Sequence, residues 1–229
     1  MLLDHVAYGN AIGGTDAGNV ISGNATDGVN MEGTDTSANG VAGNWIGTDA
    51  SGTQALPNGS SGVLVWQGAN GNTIGGRAAI GNTIAFNSFA GVAIEGSDLT
   101  TNGITIEGNS IEGNGFLGIG FFADANDGQA SPVLTAVGTV ATTTIEGTLD
   151  SAASTDFRIE LFASPDCDDS GAGEGAQFLG SVGVTTNAGG HASFTKDVPA
   201  VPDGEFVTAT ATNESTGDTS QFSDCFQNP

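Results

Sequence analysis

Short apolar segments of alternating pattern recur through the first half of the chain, and each is flanked by Gly or Asn. Between Asn72 and Gly96 three such segments follow one another, and the same three occur in the same order four times. The first segment begins at Asn10, Asn39, Asn72 and Asn102; the second at Gly18, Gly43, Gly81 and Gly108; the third at Gly28, Gly62, Gly91 and Gly118. A repeat of about thirty residues predicts a structure of stacked units.

Each copy is too small to bury a core alone, so the pattern favours a parallel β-solenoid of about four turns with three strands per turn. An all-α repeat is excluded, because no window has a 3.6-residue period and Gly is too frequent. Asn at one register also predicts a ladder of side-chain hydrogen bonds. The predicted inward columns are Ile12/Val41/Ile74/Ile104, Ile21/Ile46/Ile84/Ile111, the third-segment pairs from Val29 and Met31 to Ile119 and Phe121, and Val6 and Tyr8 of an earlier turn.

The residue composition and the length of the apolar runs change after a polar linker at residues 124–128. From Pro132 onward the apolar runs are longer, richer in Thr and Val, and separated by ordinary turns. Seven strands are predicted, at residues 133–137, 142–149, 157–163, 177–185, 191–197, 205–212 and 220–222. Seven strands in about a hundred residues favour an immunoglobulin-like sandwich. The chain is therefore predicted to be all-β, with a solenoid at residues 1–128 and a sandwich at residues 129–229.

The Gly-Asn-X-Ile segments resemble those of the right-handed parallel β-helix repeats of bacterial secreted and cell-surface proteins. The second half resembles the Ig-like module that often follows such solenoids, in residues 159–163, 207–212 and 219–223 and in its two cysteines. The resemblance implies a secreted multidomain protein. It assigns no reaction, because the same solenoid carries lyases, hydrolases, adhesins and stalks.

The charge balance narrows the range of partners. Three basic residues, Arg77, Arg158 and Lys196, stand against 26 acidic ones, for a net charge of -23. Such a chain cannot contact nucleic-acid phosphates or an anionic membrane surface. No stretch approaches the roughly 20 apolar residues of a membrane-spanning helix, so membrane insertion is not expected. Solubility, divalent-cation binding and adaptation to salt remain open.

Two features of the second half suggest further chemistry. Cys167 and Cys225 predict a disulfide and an exported protein, with two buried free thiols as the alternative. The acidic cluster around Cys167 is a candidate Ca²⁺ site, although it lacks EF-hand spacing and a solvated acidic loop is the alternative. Its candidate ligands are Asp166, Asp168, Asp169 and Glu174.

Aromatic residues at outward positions of the solenoid indicate an interface. Trp45 and Trp66 are predicted to point outward, with Phe122 in the column of Trp66. They either stack on a sugar ring or are covered by the C-terminal domain or a neighbouring chain. Glu32 and Glu95 share that column two turns apart, roughly 9.5 Å, a separation that fits an inverting glycosidase.

The function expected from these features is structural or adhesive and non-catalytic, in a secreted or cell-surface protein. Open strand edges at the start of the solenoid favour self-association into a filament or surface layer, or contact with a neighbouring surface protein. The alternative is a carbohydrate-active enzyme or a carbohydrate-binding protein, with a polysaccharide as partner.

Overall fold

The computed structural model describes residues 1–77, 80–96, 100–139, 142–168 and 171–229. The fold is all-β, as the sequence predicts: a parallel β-solenoid of about four turns is followed by antiparallel sheets. The solenoid strands are β1 (Leu2–Asp4), β2 (Ala11–Gly13), β3 (Val20–Ile21), β4 (Val29–Glu32), β5 (Gly40–Ala42), β6 (Trp45–Ile46), β7 (Val63–Trp66), β8 (Thr73–Gly75), β9 (Thr83–Ala85), β10 (Val92–Glu95), β11 (Thr105–Glu107), β12 (Ser110–Glu112) and β13 (Ile119–Phe122).

The solenoid consists of three parallel sheets, one for each repeated segment. The first segment forms the order β11-β8-β5-β2, the second β12-β9-β6-β3, and the third β1-β4-β7-β10-β13. Like residues stack from turn to turn, as in the column Ile21, Ile46, Ile84 and Ile111. Because these columns converge on one axis, they form a single apolar core.

One predicted column is wrong in its last member. Ile74 pairs with Ile106, and not with Ile104. The strand is therefore shifted by two residues relative to the sequence repeat, and Ile104, which is also fully buried, takes the register of Asn72. Residues two apart share a face of a strand, so alternation alone cannot distinguish these two registers.

The prediction for the earlier turn is also wrong. Strand β1 is Leu2–Asp4, which pairs with β4 and places Leu3 over Met31. His5 and Val6 then turn the chain with φ of 37° and 67°, and Val6 and Tyr8 are exposed.

Asparagine ladders hold the corners of the turns together. In each, the side-chain Oδ1 of one Asn accepts hydrogen bonds from the Nδ2 and, in most cases, the backbone N–H of the Asn one turn earlier. Asn82, for example, donates through both nitrogens to Asn109 at 2.9 Å. The predicted ladder is confirmed and has two companions: the three are Asn10–Asn39–Asn72, Asn19–Asn44–Asn82–Asn109 and Asn24–Asn58–Asn87–Asn114.

The second half contains two antiparallel sheets around a second apolar core, ordered β14-β15-β18 and β17-β16-β19-β20. A short 3₁₀ segment, Ala125–Gly128, precedes them. Their strands are β14 (Val133–Thr139), β15 (Thr143–Asp150), β16 (Asp156–Ser164), β17 (Gln177–Thr185), β18 (His191–Val198), β19 (Phe206–Asn213) and β20 (Phe226–Gln227).

The seventh predicted strand, at residues 220–222, is not a strand. Strand β20 lies further on and pairs with the start of β19. The segment before it runs beside β19, where the backbone N–H groups of Ser220 and Ser223 donate to Ala211 O and Ala209 O. The return N–H groups go to the Ser220 and Ser223 hydroxyls, so no regular strand ladder forms. Phe222 belongs to the solenoid core, as does Phe162 of β16. Phe222 therefore packs between the two halves.

The predicted disulfide is confirmed: Cys167 is bonded to Cys225 across 58 residues. On the chain-entropy model a bridge of this span stabilises the fold by about 4 kcal/mol. Within the described ranges, no helix has the length and apolar character needed to cross a membrane.

Candidate functional site

The predicted outward column on the third sheet is present, but its aromatic rings are only half-exposed. Glu32 pairs with Trp66, and Glu95 pairs with Phe122. The indole Nε1 of Trp66 donates to Glu32 Oε2 at 3.0 Å and to Asn30 Oδ1 at 2.9 Å. Trp66 is thus held against its own strand neighbours, and Glu32 is a structural acceptor for it.

Phe122 belongs to an aromatic stack that the sequence pattern did not predict. Phe89 and Phe116 lie with ring centroids 5.0 Å apart and an interplanar angle of 4°, and Phe122 stacks on Phe89 at 5.5 Å. Stacked rings turn their faces toward one another. The cluster joins successive turns, and Phe89 and Phe116 still expose 37% and 40% of their surface.

Trp45 stands in a different environment, at the start of β6 on the second sheet. Corner lengths explain its surroundings. Between the first and second strands, the chain has six residues in the first turn (14–19) and seven in the third (76–82, of which 78 and 79 lie outside the described residues), whereas the second turn has only residues 43–44. A short corner between two long ones leaves a recess, which we call the second-turn notch. It has a volume of about 460 Å³ and is lined by Gly14, Thr15, Asp16, Gly18, Gly43, Trp45 and Ile80.

The fourth turn has an equally short corner, residues 108–109, and the sandwich packs against it. Glu160 of β16 is buried, and its Oε2 accepts the backbone N–H of Gly108 at 2.8 Å. Burial raises the pKa of Glu160, while the Gly108 N–H and the Arg158 guanidinium oppose that rise. A short corner of this solenoid is therefore able to receive a polar group from outside it.

Two of the three basic residues surround this contact. Arg158 pairs with Glu160 at 3.0 Å and lies 3.7 Å from Glu107 of the solenoid. Arg77 binds Glu107 through Nε at 3.0 Å and Glu214 of the second half at 2.8 Å. The Glu107 and Glu214 carboxylates hold the pKa of Arg77 above its ordinary value. The network joins solenoid and sandwich.

The structure brings some of the candidate Ca²⁺ ligands near one another: Asp166 and Glu174 line one pocket, and the charge of Asp168 acts on Glu174. Glu174 points to the solenoid, where it accepts the backbone N–H groups of Gly113 at 2.8 Å and Asn114 at 3.3 Å. Asp166 is exposed, and Asp169 lies outside the described residues. Among the residues that the structure describes, no group of three or more His, Cys, Asp or Glu is arranged to hold a metal. Calcium binding stays a prediction.

The polar contacts between the halves and the second-turn notch were not found from the sequence. The notch could have been predicted from the sequence, because the number of residues between the first and second segments is alternately large and small along the repeat. The Glu160 and Glu174 contacts had none, because they join residues 52 and 61 positions apart in different sheets.

The chain is thus an all-β protein, a short parallel β-solenoid closed at one end by antiparallel sheets. A scan against protein-family models and a search of curated proteins gave no match for this chain.

Proposed function

We propose that this chain is an extracellular, non-catalytic structural or adhesive protein that presents rigid solenoid faces, followed by an Ig-like module. The observation that carries the proposal is the continuity of the asparagine ladders, one of which runs along each of the three rows of corners between the solenoid sheets. Amides such as Asn44 and Asn82 are fully hydrogen-bonded within the protein and almost completely buried. Buried and satisfied polar networks rigidify a fold, and they suit a scaffold.

Two features favour an extracellular location. The Cys167–Cys225 disulfide persists in oxidising compartments. The net charge of -23 keeps such a chain soluble and favours partners other than nucleic acid and anionic lipid. A solenoid followed by a sandwich is also the arrangement of the bacterial surface proteins that the sequence resembles.

The two ends of the solenoid differ, and this difference directs self-association. The second half covers the last turn: Ile111 exchanges backbone hydrogen bonds with Gly175, and Thr219 accepts the N–H of Ile106. At the other end, strands β1, β2 and β3 are sheet edges, and Leu2 and Val20 are exposed. Unpaired edges with apolar side chains accept further strands. Assembly therefore proceeds through the β1–β3 end.

Sedimentation velocity over a wide concentration range tests this proposal. The wild-type protein should show a concentration-dependent larger species that Val20→Asp abolishes. Val133→Asp is the matched control, because Val133 is equally apolar and exposed but lies on the sandwich. A species of unchanged size in Val20→Asp, or a monomer at every concentration, would contradict assembly through this end.

A further inference from the structure

The second-turn notch is a recess with one rigid aromatic wall. A Cβ at Gly18 would lie 3.0 Å from Cζ3 of Trp45, and one at Gly52 would lie 3.1 Å from Cδ1. These glycines therefore bring backbone against both ends of the indole, and larger residues would displace it. The ring is held in place before any ligand arrives, which lowers the entropic cost of binding.

The rim of the notch offers free polar groups. Thr15 and Asp16 lie on the first-turn corner and are exposed, and among the described residues neither side chain has a hydrogen-bond partner. A hydroxyl and a carboxylate beside an aromatic wall combine stacking with hydrogen bonding. This is the usual composition of a small-molecule site, and 460 Å³ is within the usual size range.

A comparison with the fourth turn shows that the short corner of the notch has no free N–H group for an anionic ligand. There the Gly108 N–H at the short corner binds the carboxylate of Glu160. In the second turn the corresponding N–H of Gly43 already donates to the carbonyl of Ile80 at 3.0 Å. The backbone donor of the short corner is therefore occupied. None of the described residues that line the notch is Lys or Arg, and Asp16 would repel an anion.

We infer that the second-turn notch binds a neutral glycan, with a pyranose ring stacked on Trp45 and hydroxyl groups that donate to Asp16. Charge decides the class of ligand: a carboxylate rim on a chain of net charge -23 disfavours polyuronides and sulfated glycans. The inference rests on the proposed adhesive function, to which it adds a ligand and its contact residues.

Calorimetry and saturation-transfer NMR with cellohexaose, maltohexaose and mannohexaose test the inference on the full chain. At least one of these should bind the wild type, and Trp45→Ala should weaken that binding by about tenfold or more. Trp66→Ala is the matched control, because it removes the other tryptophan from a different face and should leave binding unchanged. Asp16→Asn, on an exposed corner where φ is 58°, tests the rim without disturbing the wall and should also weaken binding.

Several results would overturn the inference. They are no binding of any neutral hexasaccharide at millimolar concentration, equal binding by wild type and Trp45→Ala, or stronger binding of oligogalacturonate than of the neutral glycans. If Trp45→Ala does not fold, unchanged binding by Asp16→Asn overturns the predicted hydrogen bonding. Sedimentation of the same samples distinguishes the two proposals. A protein that stays monomeric but binds a hexasaccharide contradicts self-association and leaves the glycan site standing, because calorimetry detects glycan binding in a monomer as well.

Discussion

The carboxylate of Glu160 accepts the backbone N–H of Gly108, although the two residues lie in different halves of the molecule. Glu174 does the same for Asn114, whose equivalent one turn earlier, Asn87, donates its N–H to an asparagine Oδ1. The Glu174 carboxylate thus stands where the asparagine amide oxygen of a further turn would stand. The Glu160 carboxylate takes the place that the Ile80 carbonyl oxygen has for Gly43, the equivalent of Gly108 in the second turn. The second half ends the solenoid by satisfying the groups that its last turn leaves open.

Arg158 is expected to be essential to this junction. The Arg158→Met variant keeps the apolar stem but leaves the Glu160 carboxylate, which is almost fully buried, without its closest cation. Breaking a buried pair from one side costs about 3 kcal/mol of unfolding free energy. Chemical denaturation measures it, and Lys196→Met, which removes the same charge from strand β18, is the control. Equal stabilities of the two variants would contradict this role for Arg158.

The asparagine ladders predict a gradient of stability along one column. Asn82→Ala removes two side-chain donations, to Val41 O and Asn109 Oδ1, and an acceptor for Asn44, all of them buried. Its cost should be about 3 kcal/mol, because buried partners are left unsatisfied. Asn19→Ala, at the exposed end of the same ladder, should cost about 1 kcal/mol. Thermal unfolding of both variants gives the comparison, and equal losses would show that burial does not set the contribution.

The columns of the solenoid could be predicted because a repeat gives the same information several times. Ile21, Ile46, Ile84 and Ile111 each follow Gly-Asn-X, so one rule places all four. The prediction failed where copies stop being equivalent. Ile104 took the register of Asn72 because the last turn meets Asn126: the Ile104 N–H donates to Asn126 Oδ1 at 2.9 Å, whereas Asn72 in the third turn belongs to an asparagine ladder.

Side chains that act between the halves were harder to predict for the same reason. Phe222 was predicted to lie on a strand of the sandwich, whereas it packs into the solenoid core. Trp66 was expected to be an exposed ring, and its position in the column was correct. The hydrogen bond to Glu32, which half-buries it, depends on rotamers that no periodicity specifies.

Glu174 makes the junction sensitive to pH. Burial raises its pKa above the ordinary value of 4.5, against the opposing Gly113 and Asn114 N–H groups, and the nearby charges of Asp168 and Glu112 add to the rise. Between the ordinary and the raised pKa, the folded state binds more protons than the unfolded state. The contribution of Glu174 to the free energy of unfolding therefore falls as pH rises through this window.

The Glu174→Gln variant should remove that loss. Relative to wild type, its unfolding free energy should rise as the pH increases from below 4.5 to neutrality. Glu146→Gln, at an exposed position on β15, corrects for the removal of one negative charge from an acidic protein. Urea denaturation at a series of pH values measures the difference, and parallel profiles for Glu174→Gln and wild type would rule out the effect.

Two neighbouring threonines of β19 should respond in opposite directions to the same substitution. Thr210 is buried, and its hydroxyl has no hydrogen-bond partner. It borders a cavity of about 10 Å³ between the solenoid and the sandwich, which is at the lower limit for one water molecule. Thr210→Val keeps the shape and removes the unsatisfied hydroxyl, so the unfolding free energy should increase by about 1 kcal/mol.

Thr208, also buried on β19, donates its hydroxyl to the backbone oxygen of Glu174 at 2.6 Å. Thr208→Val should therefore lower the unfolding free energy by about 1 kcal/mol or more, because the Glu174 carbonyl loses a partner. Both variants add the same methyl group to the same strand, so the difference between them isolates the hydrogen bond. If Thr210→Val is less stable than wild type, the wild-type Thr210 hydroxyl is hydrogen-bonded in solution to a water molecule in the cavity, and the junction between the two halves contains ordered water.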